Sequence, residues 1–114
     1  MKLSSCIFNG EATYGLIKDA GFHQVLPRFA LRFPKLRDVL EANAISELAA
    51  NSAEDIVALN DIVFLPPIPN PRKIICVGLN YKKPYPVPGA ILKSDNIVLF
   101  GRNTDTFVGH EGVL

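Results

Sequence analysis

A cluster of four prolines divides this 114-residue chain more sharply than any other feature of its sequence. The cluster consists of Pro66, Pro67, Pro69 and Pro71. Prolines at this spacing enforce extended backbone and exclude a helix. Residues 66–72 are therefore predicted to link an N-terminal module, residues 1–65, to a second module, residues 73–114. The length allows one domain, or one small domain and the beginning of another.

The N-terminal module starts with the pattern of a β-hairpin. The apolar-rich runs "MKLSSCIF" and "EATYGLIK" are separated by Asn9-Gly10, a dipeptide that accepts the positive φ angles of a two-residue turn. A short third strand is expected over Phe22 to Leu26. Pro27 is expected to interrupt any regular element, so that the chain beyond it is a connection.

Helical spacing follows from Pro34 onward. Leu36, Val39 and Leu40 recur on one face, and the period resumes with Ile45, Leu48 and Ala49 after a break near Asn43. Ser52, followed by two acidic residues, predicts the start of a further helix. The run "DIVFL" is predicted to be a strand that enters the linker. The first module is thus expected to be α+β, a hairpin with two or three short helices.

The second module begins with "KIICVGLNY", residues 73–81, which shows no polar alternation and is expected to be a strand covered on both faces. "IVLFGR" and "TFVGHEGVL" predict two more strands. The cover for residues 73–81 would have to come largely from residues 82–114, which is a thin layer. The second module is therefore expected to be the incomplete start of a mainly β domain.

Charge and composition exclude several classes of partner. The net charge is +1 and the basic residues are scattered, so neither nucleic acid nor an anionic membrane surface is expected to bind. Apolar runs are too short to span a bilayer and the first residues do not resemble a leader, which predicts a soluble, cytoplasmic protein. Cys6 and Cys76 are expected to be reduced, buried thiols. The glycine patterns fit no phosphate-binding loop.

The order of these segments resembles the start of bacterial fumarylacetoacetate hydrolase family proteins. The resemblance runs along essentially the whole chain. Its most specific part is "LPPIPNPRKIICVGLNY", in which the proline-rich connector, the Arg-Lys pair and the Gly-Leu-Asn-Tyr ending occur together. "LFGR" with "VGH" is a second, weaker match that follows in the expected order.

This resemblance implies a hydrolase, decarboxylase or isomerase of aromatic catabolism that depends on a divalent metal, commonly Mg²⁺. Its substrates would be β-diketo acids or related small oxo-diacids. In the hydrolases of the family, the metal holds the keto-enolate oxygens and a His–Glu pair activates water. Both are needed because a carbon leaving group must delocalise its negative charge onto an oxygen that a cation stabilises.

The positions of that His–Glu pair correspond here to Pro84 and Val87, neither of which can take up a proton. The family's metal carboxylates belong to sequence that would follow Leu114. The resemblance therefore implies no catalytic residue, no metal ligand and no cofactor in this chain itself. It implies substrate contacts at Tyr81, Phe100 and Arg102, with Arg102 as a bidentate partner of a carboxylate.

Each of these residues also has a structural interpretation. Arg102 is alternatively a solvated charge or a salt-bridge partner, and Tyr81 alternatively packs on the linker prolines. His110 and Glu111 suggest a metal or acid–base pair, but neighbours on a strand would point to opposite faces. His23 is expected to be structural or exposed.

Two functional hypotheses follow. In the first, the chain is the N-terminal part of a family enzyme and is inactive alone. In the second, it is a non-catalytic folded module that mediates self-association or partner binding through the unpaired edge of residues 73–81, so that a homo-oligomer is expected.

Overall fold

The computed structural model describes residues 2–78 and 97–113. The chain divides into two compact units. Unit 1 comprises Met1–Pro71 together with Phe107–Leu114, and unit 2 comprises Arg72–Thr106. The positions of Tyr81, Pro84 and Val87 lie outside the described residues.

Unit 1 is built on a five-stranded antiparallel sheet. Its strands are β1 (Lys2–Phe8), β2 (Glu11–Lys18), β3 (Gly21–Gln24), β4 (Val57–Ala58) and β5 (Ile62–Leu65). They lie in the order β4-β3-β2-β1-β5. The predicted hairpin is confirmed, because β1 pairs with β2 up to Phe8 opposite Glu11, and Asn9 and Gly10 have φ angles of 50° and 81°.

The connection between β4 and β5 forces this sheet to curl. These strands are the two outer ones, yet Leu59–Asp61, a single 3₁₀ turn, joins them. In a flat sheet with strands about 4.8 Å apart they would be separated by about 19 Å. The four Cα steps from Ala58 to Ile62 reach only about 14 Å even when fully extended. The two edges must therefore approach each other, and one face of the sheet becomes concave.

Three short helices follow β3. They are α1 (Pro27–Arg32), α2 (Leu36–Glu41) and α3 (Ile45–Ala50). The expectation that Pro27 interrupts regular structure is wrong, because Pro27 occupies the first turn of α1, where its missing N–H would be unpaired in any residue. The Asp38 carboxylate accepts a hydrogen bond from the Lys35 N–H at 2.9 Å and so caps α2. Asn43, at φ 54°, ends the helical run as predicted.

The helices cover one face of the sheet and form the larger core. Buried side chains of β2, of the helices and of the residues that flank β3 and α3 make up this cluster: Tyr14, Leu16, Val25, Phe29, Leu36, Val39, Ala44 and Leu48. The Tyr14 hydroxyl donates a hydrogen bond to the Phe33 carbonyl, which satisfies the polar end of a buried ring. Leu36, Val39 and Leu48 are all predicted helix-face residues, so the helical pattern correctly identified this core.

A second, smaller core fills the concave face. Cys6, Phe22 and Ile62 are buried there, and Ile17, Val57, Leu59 and Phe64 pack against them. Leu59 belongs to the turn that joins the outer strands, so this turn lies over the second core. The curl thus creates an interior in which Cys6 and Phe22 have no exposed surface.

The helix predicted to start at Ser52 is not formed. The Ala53 N–H donates to the Gln24 carbonyl at 2.7 Å, and Ser52 forms an antiparallel bridge with Val25. Val57 and Ala58 then join the sheet as β4. Pairing with β3 gives these backbone N–H and C=O groups hydrogen-bond partners, which a single short helical turn would not provide. This gain outweighs the preference of the acidic residues for the first turn of a helix.

The proline segment is attached to unit 1 by specific contacts. The Ser5 hydroxyl donates to the Pro67 carbonyl at 2.7 Å, and the Arg37 guanidinium donates to the Asn70 carbonyl at 2.6 Å. Ile68 packs against the larger core. The extended backbone that the prolines enforce therefore runs along unit 1.

Unit 2 contains a two-stranded antiparallel ribbon of β6 (Ile74–Gly78) and β7 (Val98–Arg102). Both strands were predicted. The expectation that residues 73–81 are covered on both faces is not met in the described part, since Ile75 and Val77 are exposed. The strand expected over residues 106–114 is absent from 107–113, where Glu111 has a φ of 61° and the backbone turns.

The helices among residues 2–78 and 97–113 are too short to cross a bilayer.

Substitution of Gly15 by Ala is expected to lower the free energy of unfolding by about 1–3 kcal/mol. A Cβ at Gly15 would overlap the His23 carbonyl oxygen and approach the Phe22 ring to 3.0 Å, so β2 and β3 would have to separate where the sheet curls. Urea unfolding followed by circular dichroism measures the change. Gly101→Ala is the matched control, since its Cβ would meet only the Ile74 carbonyl at 3.9 Å. Equal effects of both variants would contradict the close packing at Gly15.

The two thiols are expected to react at different rates. Cys6 has no exposed surface, and burial raises its pKa to about 11, whereas Cys76 is half-buried. At pH 8 we expect Ellman's reagent to modify Cys76 rapidly and Cys6 only at the rate of unfolding. Cys76→Ser should remove the fast phase and guanidinium should restore the reaction of Cys6. Two equally fast thiols in the native protein would show that the second core is open.

Stability is expected to fall in alkali. The pKa of Cys6 rises from its ordinary value of 9.0 to about 11, and burial, with a smaller effect of Asp38, raises that of Tyr14 from 10.0 to about 12. The unfolded chain therefore loses these protons first as the pH rises. The contribution of Cys6 is complete below pH 9 and lost by about pH 11, and that of Tyr14 declines between pH 10 and 12. Urea midpoints across pH 8–12 for the wild type and Cys6→Ala would measure the difference.

Candidate functional site

The ribbon of unit 2 brings two of the three predicted substrate-binding residues onto one face. Phe100 lies opposite Cys76 and Arg102 opposite Ile74, and residues two apart on a strand share a face. The Arg102 guanidinium carbon is 5.5 Å from the centre of the Phe100 ring, a cation–π contact. The third residue, Tyr81, lies outside the described residues, so its predicted contact stays a prediction.

The environment of Arg102 leaves its guanidinium accessible. Its side chain is exposed, and within residues 2–78 and 97–113 it forms no ion pair. The Phe100 ring packs against one side of the guanidinium plane, and the N–H groups of Arg102 stay available for a ligand. Such a group can bind a carboxylate through two parallel hydrogen bonds. The salt-bridge interpretation of Arg102 therefore finds no partner in the described part of the chain.

His110 and Glu111 lie in the C-terminal part of unit 1. The argument that strand geometry keeps their side chains apart is wrong, since residues 107–113 form no strand and His110 Nε2 is 3.8 Å from Glu111 Oε1. Both side chains are largely exposed, and the His110 ring packs edge-on against Phe64 at 5.4 Å between centres. Exposed pairs at this distance contribute little to stability.

The described residues do not form a metal centre. Within them, no three side chains of His, Cys, Asp and Glu are grouped so that they could hold an ion. Mg²⁺ is bound in proteins mainly through carboxylates, carbonyls and water, and His110 and Glu111 supply a single carboxylate. The described residues 2–78 and 97–113 thus do not by themselves fit the metal that the resemblance implies for the complete family protein.

His23 lies on β3 and is buried, with 8% of its surface exposed. Its Nδ1 is 3.0 Å from the Ala53 carbonyl, so a proton on Nδ1 would be donated to that oxygen. Nε2 is buried without a partner in the described structure. The hydrogen bond to Ala53 joins β3 to the segment that bridges from α3 to β4, which supports the structural interpretation of His23 over exposure.

Cavities in unit 1 were not foreseen from the sequence. One of about 220 Å³ lies between β2, the start of α2 and the proline segment. A second of about 350 Å³ lies beside Lys2, Ser4 and His110, and a third of about 440 Å³ lies beside His110 and Glu111. Their linings combine residues from distant parts of the sequence, with no motif to mark them. One signal in the sequence does relate to them. Alternation along β1 places Lys2, Ser4 and Cys6 on the same face, so polar side chains follow the buried Cys6 towards the start of the strand.

Comparisons with known proteins identify no relative. No family model, no curated protein and no solved structure matches the chain. The family resemblance accordingly rests on the residues of the sequence, above all residues 65–81 and 99–110.

Proposed function

We propose that the chain is the N-terminal part of a fumarylacetoacetate hydrolase family enzyme. The complete enzyme would carry out metal-dependent hydrolysis of a carbon–carbon bond, decarboxylation or isomerisation on a small β-diketo or oxo-diacid. One structural observation supports this proposal. The two segments that carry the resemblance, "KIICVG" and "VLFGR", pair in register from Ile74 opposite Arg102 to Gly78 opposite Val98.

The pairing provides a reason for the two motifs to occur together. β7 presents Arg102 and Phe100 on the face that also carries Cys76. β6 ends at Gly78, two residues before the Asn-Tyr pair in the sequence. An exposed guanidinium supported by an aromatic ring fits one carboxylate of an oxo-diacid. The part of the mechanism proposed for this chain is therefore binding and orientation of that carboxylate.

The remaining steps are proposed to belong to other parts of the complete enzyme. The described residues do not fit a metal centre, and Pro84 and Val87 stand where the family has its His and Glu. Metal ligands and proton-transfer groups would come from sequence downstream of Leu114. The isolated chain is accordingly proposed to be inactive.

The 114-residue chain is expected to show no Mg²⁺-dependent turnover of acylpyruvates, whereas the protein encoded by the continuous parent gene should show turnover that a chelator abolishes. Loss of the enol absorbance of the substrate measures the reaction. In the longer protein, Arg102→Lys should raise KM about tenfold or more, because a lysine cannot form the bidentate contact. Chelator-sensitive activity of the isolated chain would contradict its inactivity. A parent gene without a Glu-x-Glu motif after residue 114 would contradict the family proposal.

An exposed apolar stripe on unit 2 favours the second hypothesis, self-association. Ile75 and Val77 of β6 share a face with Leu99 of β7 and with Ile97, which precedes it. These four side chains are 62%, 56%, 60% and 80% exposed. A two-stranded ribbon is marginally stable alone, and an apolar face of this kind is a site for a further layer. A second copy of the chain is one candidate for that layer.

If the stripe mediates association, the chain should sediment as a concentration-dependent mixture of monomer and dimer. Val77→Lys and Leu99→Lys should then shift the chain to the monomer, because each places a charge in the stripe, at residues that pair with each other across the ribbon. Leu31→Lys is the matched control, because Leu31 is 86% exposed on α1 and lies in unit 1. A wild-type chain that stays monomeric over a wide concentration range would contradict self-association.

A further inference from the structure

The cavity of about 350 Å³ in unit 1 lies at the open end of the curled sheet, and we call it the mouth cavity. Lys2, Ser4, Ile17 and Phe64 line it from the sheet, and Leu59 lines it from the turn that joins β4 to β5. Its lining is completed by Leu3, Leu65, Pro67 and His110. The mouths of β-barrels are frequent binding sites for small molecules, and their usual volumes begin at about 300 Å³.

The position of the cavity follows from the strand register. Lys2 lies opposite Ile17, and Cys6 lies opposite Phe64. Side chains at positions 2, 4 and 6 of β1 share the concave face, so the second core is closed around Cys6 and opens towards Ser4 and Lys2. Lys2 is exposed at the rim, whereas Ser4 is 6% exposed and lies deeper.

The C-terminal part of unit 1 forms one wall. The backbone at Gly109 approaches β5 so closely that a Cβ there would overlap the Phe64 carbonyl, and the next residue, His110, packs its ring on the Phe64 side chain. This contact places an imidazole in the lining beside the apolar residues of the second core. This wall therefore adds a polar group, the His110 imidazole, next to the apolar Phe64 side chain.

The polar groups of the mouth cavity are suited to an anion. Lys2 supplies an ammonium group that forms no ion pair within the described residues. The Ser4 hydroxyl donates to the Ser5 carbonyl at 3.4 Å, a long contact that leaves this buried donor weakly satisfied. None of the described residues that line the cavity is Asp or Glu. A carboxylate at Lys2 and Ser4 would gain a cation and a hydroxyl donor, and Glu111, which lies 3.8 Å from the lining residue His110, is not itself part of the lining.

The other two cavities lack this combination. In the cavity of about 220 Å³, Lys35 supplies an ammonium group, but the Ser5 and Tyr14 hydroxyls already donate to main-chain carbonyls. The Asp38 carboxylate, although outside the lining, is close enough to raise the pKa of Tyr14. The cavity of about 440 Å³ is lined by Glu111. Both would present negative charge or satisfied donors to an incoming anion.

We propose that the mouth cavity binds a small organic acid, with its carboxylate at Lys2 and Ser4 and its apolar body against Ile17, Leu59 and Phe64. An engineered cavity of about 150 Å³ is sufficient for benzene in another protein, so about 350 Å³ accommodates a body of that size together with a carboxylate. This site lies in unit 1 and is independent of the proposed carboxylate contact of Arg102 in unit 2.

Benzoate tests the proposal on the 114-residue chain, with benzamide as a neutral analogue of the same shape. In a titration followed by ¹⁵N and methyl NMR, benzoate should shift the resonances of Lys2, Ser4, Ile17 and Leu59 in a saturable way. Benzamide should bind at least about threefold more weakly, because it gains no charge-assisted contact. Lys2→Gln and Ser4→Ala should each weaken benzoate about threefold to tenfold.

Lys35→Gln is the matched control, since it removes the same charge from an exposed lysine that lines the 220 Å³ cavity instead. Its affinity for benzoate should equal that of the wild type. Unchanged ¹⁵N spectra away from the substituted residue establish that each variant is folded. The proposal is overturned if benzoate causes no saturable shift at the mouth cavity, if benzamide binds equally well, or if Lys2→Gln and Lys35→Gln have the same effect.

Discussion

The fold of unit 1 depends on one constraint, the short turn Leu59–Asp61 between the two outer strands of its sheet. A three-residue connection cannot span a flat sheet of five strands, so strand pairing and chain connectivity can both be satisfied only if the sheet curls. Gly15 on β2 allows the close approach to β3 that the curvature needs. The curl then gives the two faces of the sheet different roles.

The convex face is closed by helices and the concave face by the sheet itself. Three six-residue helices are too short to be stable alone, and they depend on the packing of Phe29, Leu36, Val39 and Leu48 in one cluster with β2 and Val25. The concave face has few side chains to fill it, namely Cys6, Phe22 and Ile62 with their half-buried neighbours. These few side chains do not fill the concave face as far as Lys2 and Ser4, and the unfilled space there is the mouth cavity.

The sequence predicted those elements whose signals are local. Asn9-Gly10, the spacing of Leu36, Val39 and Leu48, and the apolar runs of β5, β6 and β7 each identified an element correctly. The errors arose where long-range contacts decide. Pro27 starts a helix because the helix covers β2. Ser52 starts none because it forms a bridge with Val25, and the next residue, Ala53, donates to the Gln24 carbonyl of β3. Residues 107–113 form no strand, and Gly109 and His110 pack on Phe64 instead. For the candidate site, strand register explains why Phe100 and Arg102 meet, whereas Lys2, Ser4 and His110 come together only through the curl.

The energetics of unit 2 bear on both functional hypotheses. Complete burial of an aliphatic side chain contributes about 1.5–3 kcal/mol, so covering the exposed parts of Ile75, Val77, Ile97 and Leu99 would contribute roughly 4–8 kcal/mol in all. In a symmetric dimer both chains bury this stripe, so the gain is roughly 8–16 kcal/mol in all. The estimated 4–15 kcal/mol that association costs in lost translational and rotational freedom is of similar size. Further strands of the same polypeptide would incur no such cost. The apolar stripe therefore fits a self-associating module as well as an N-terminal part, and the two proposals differ in whether its cover comes from a second chain or from further strands of the same polypeptide.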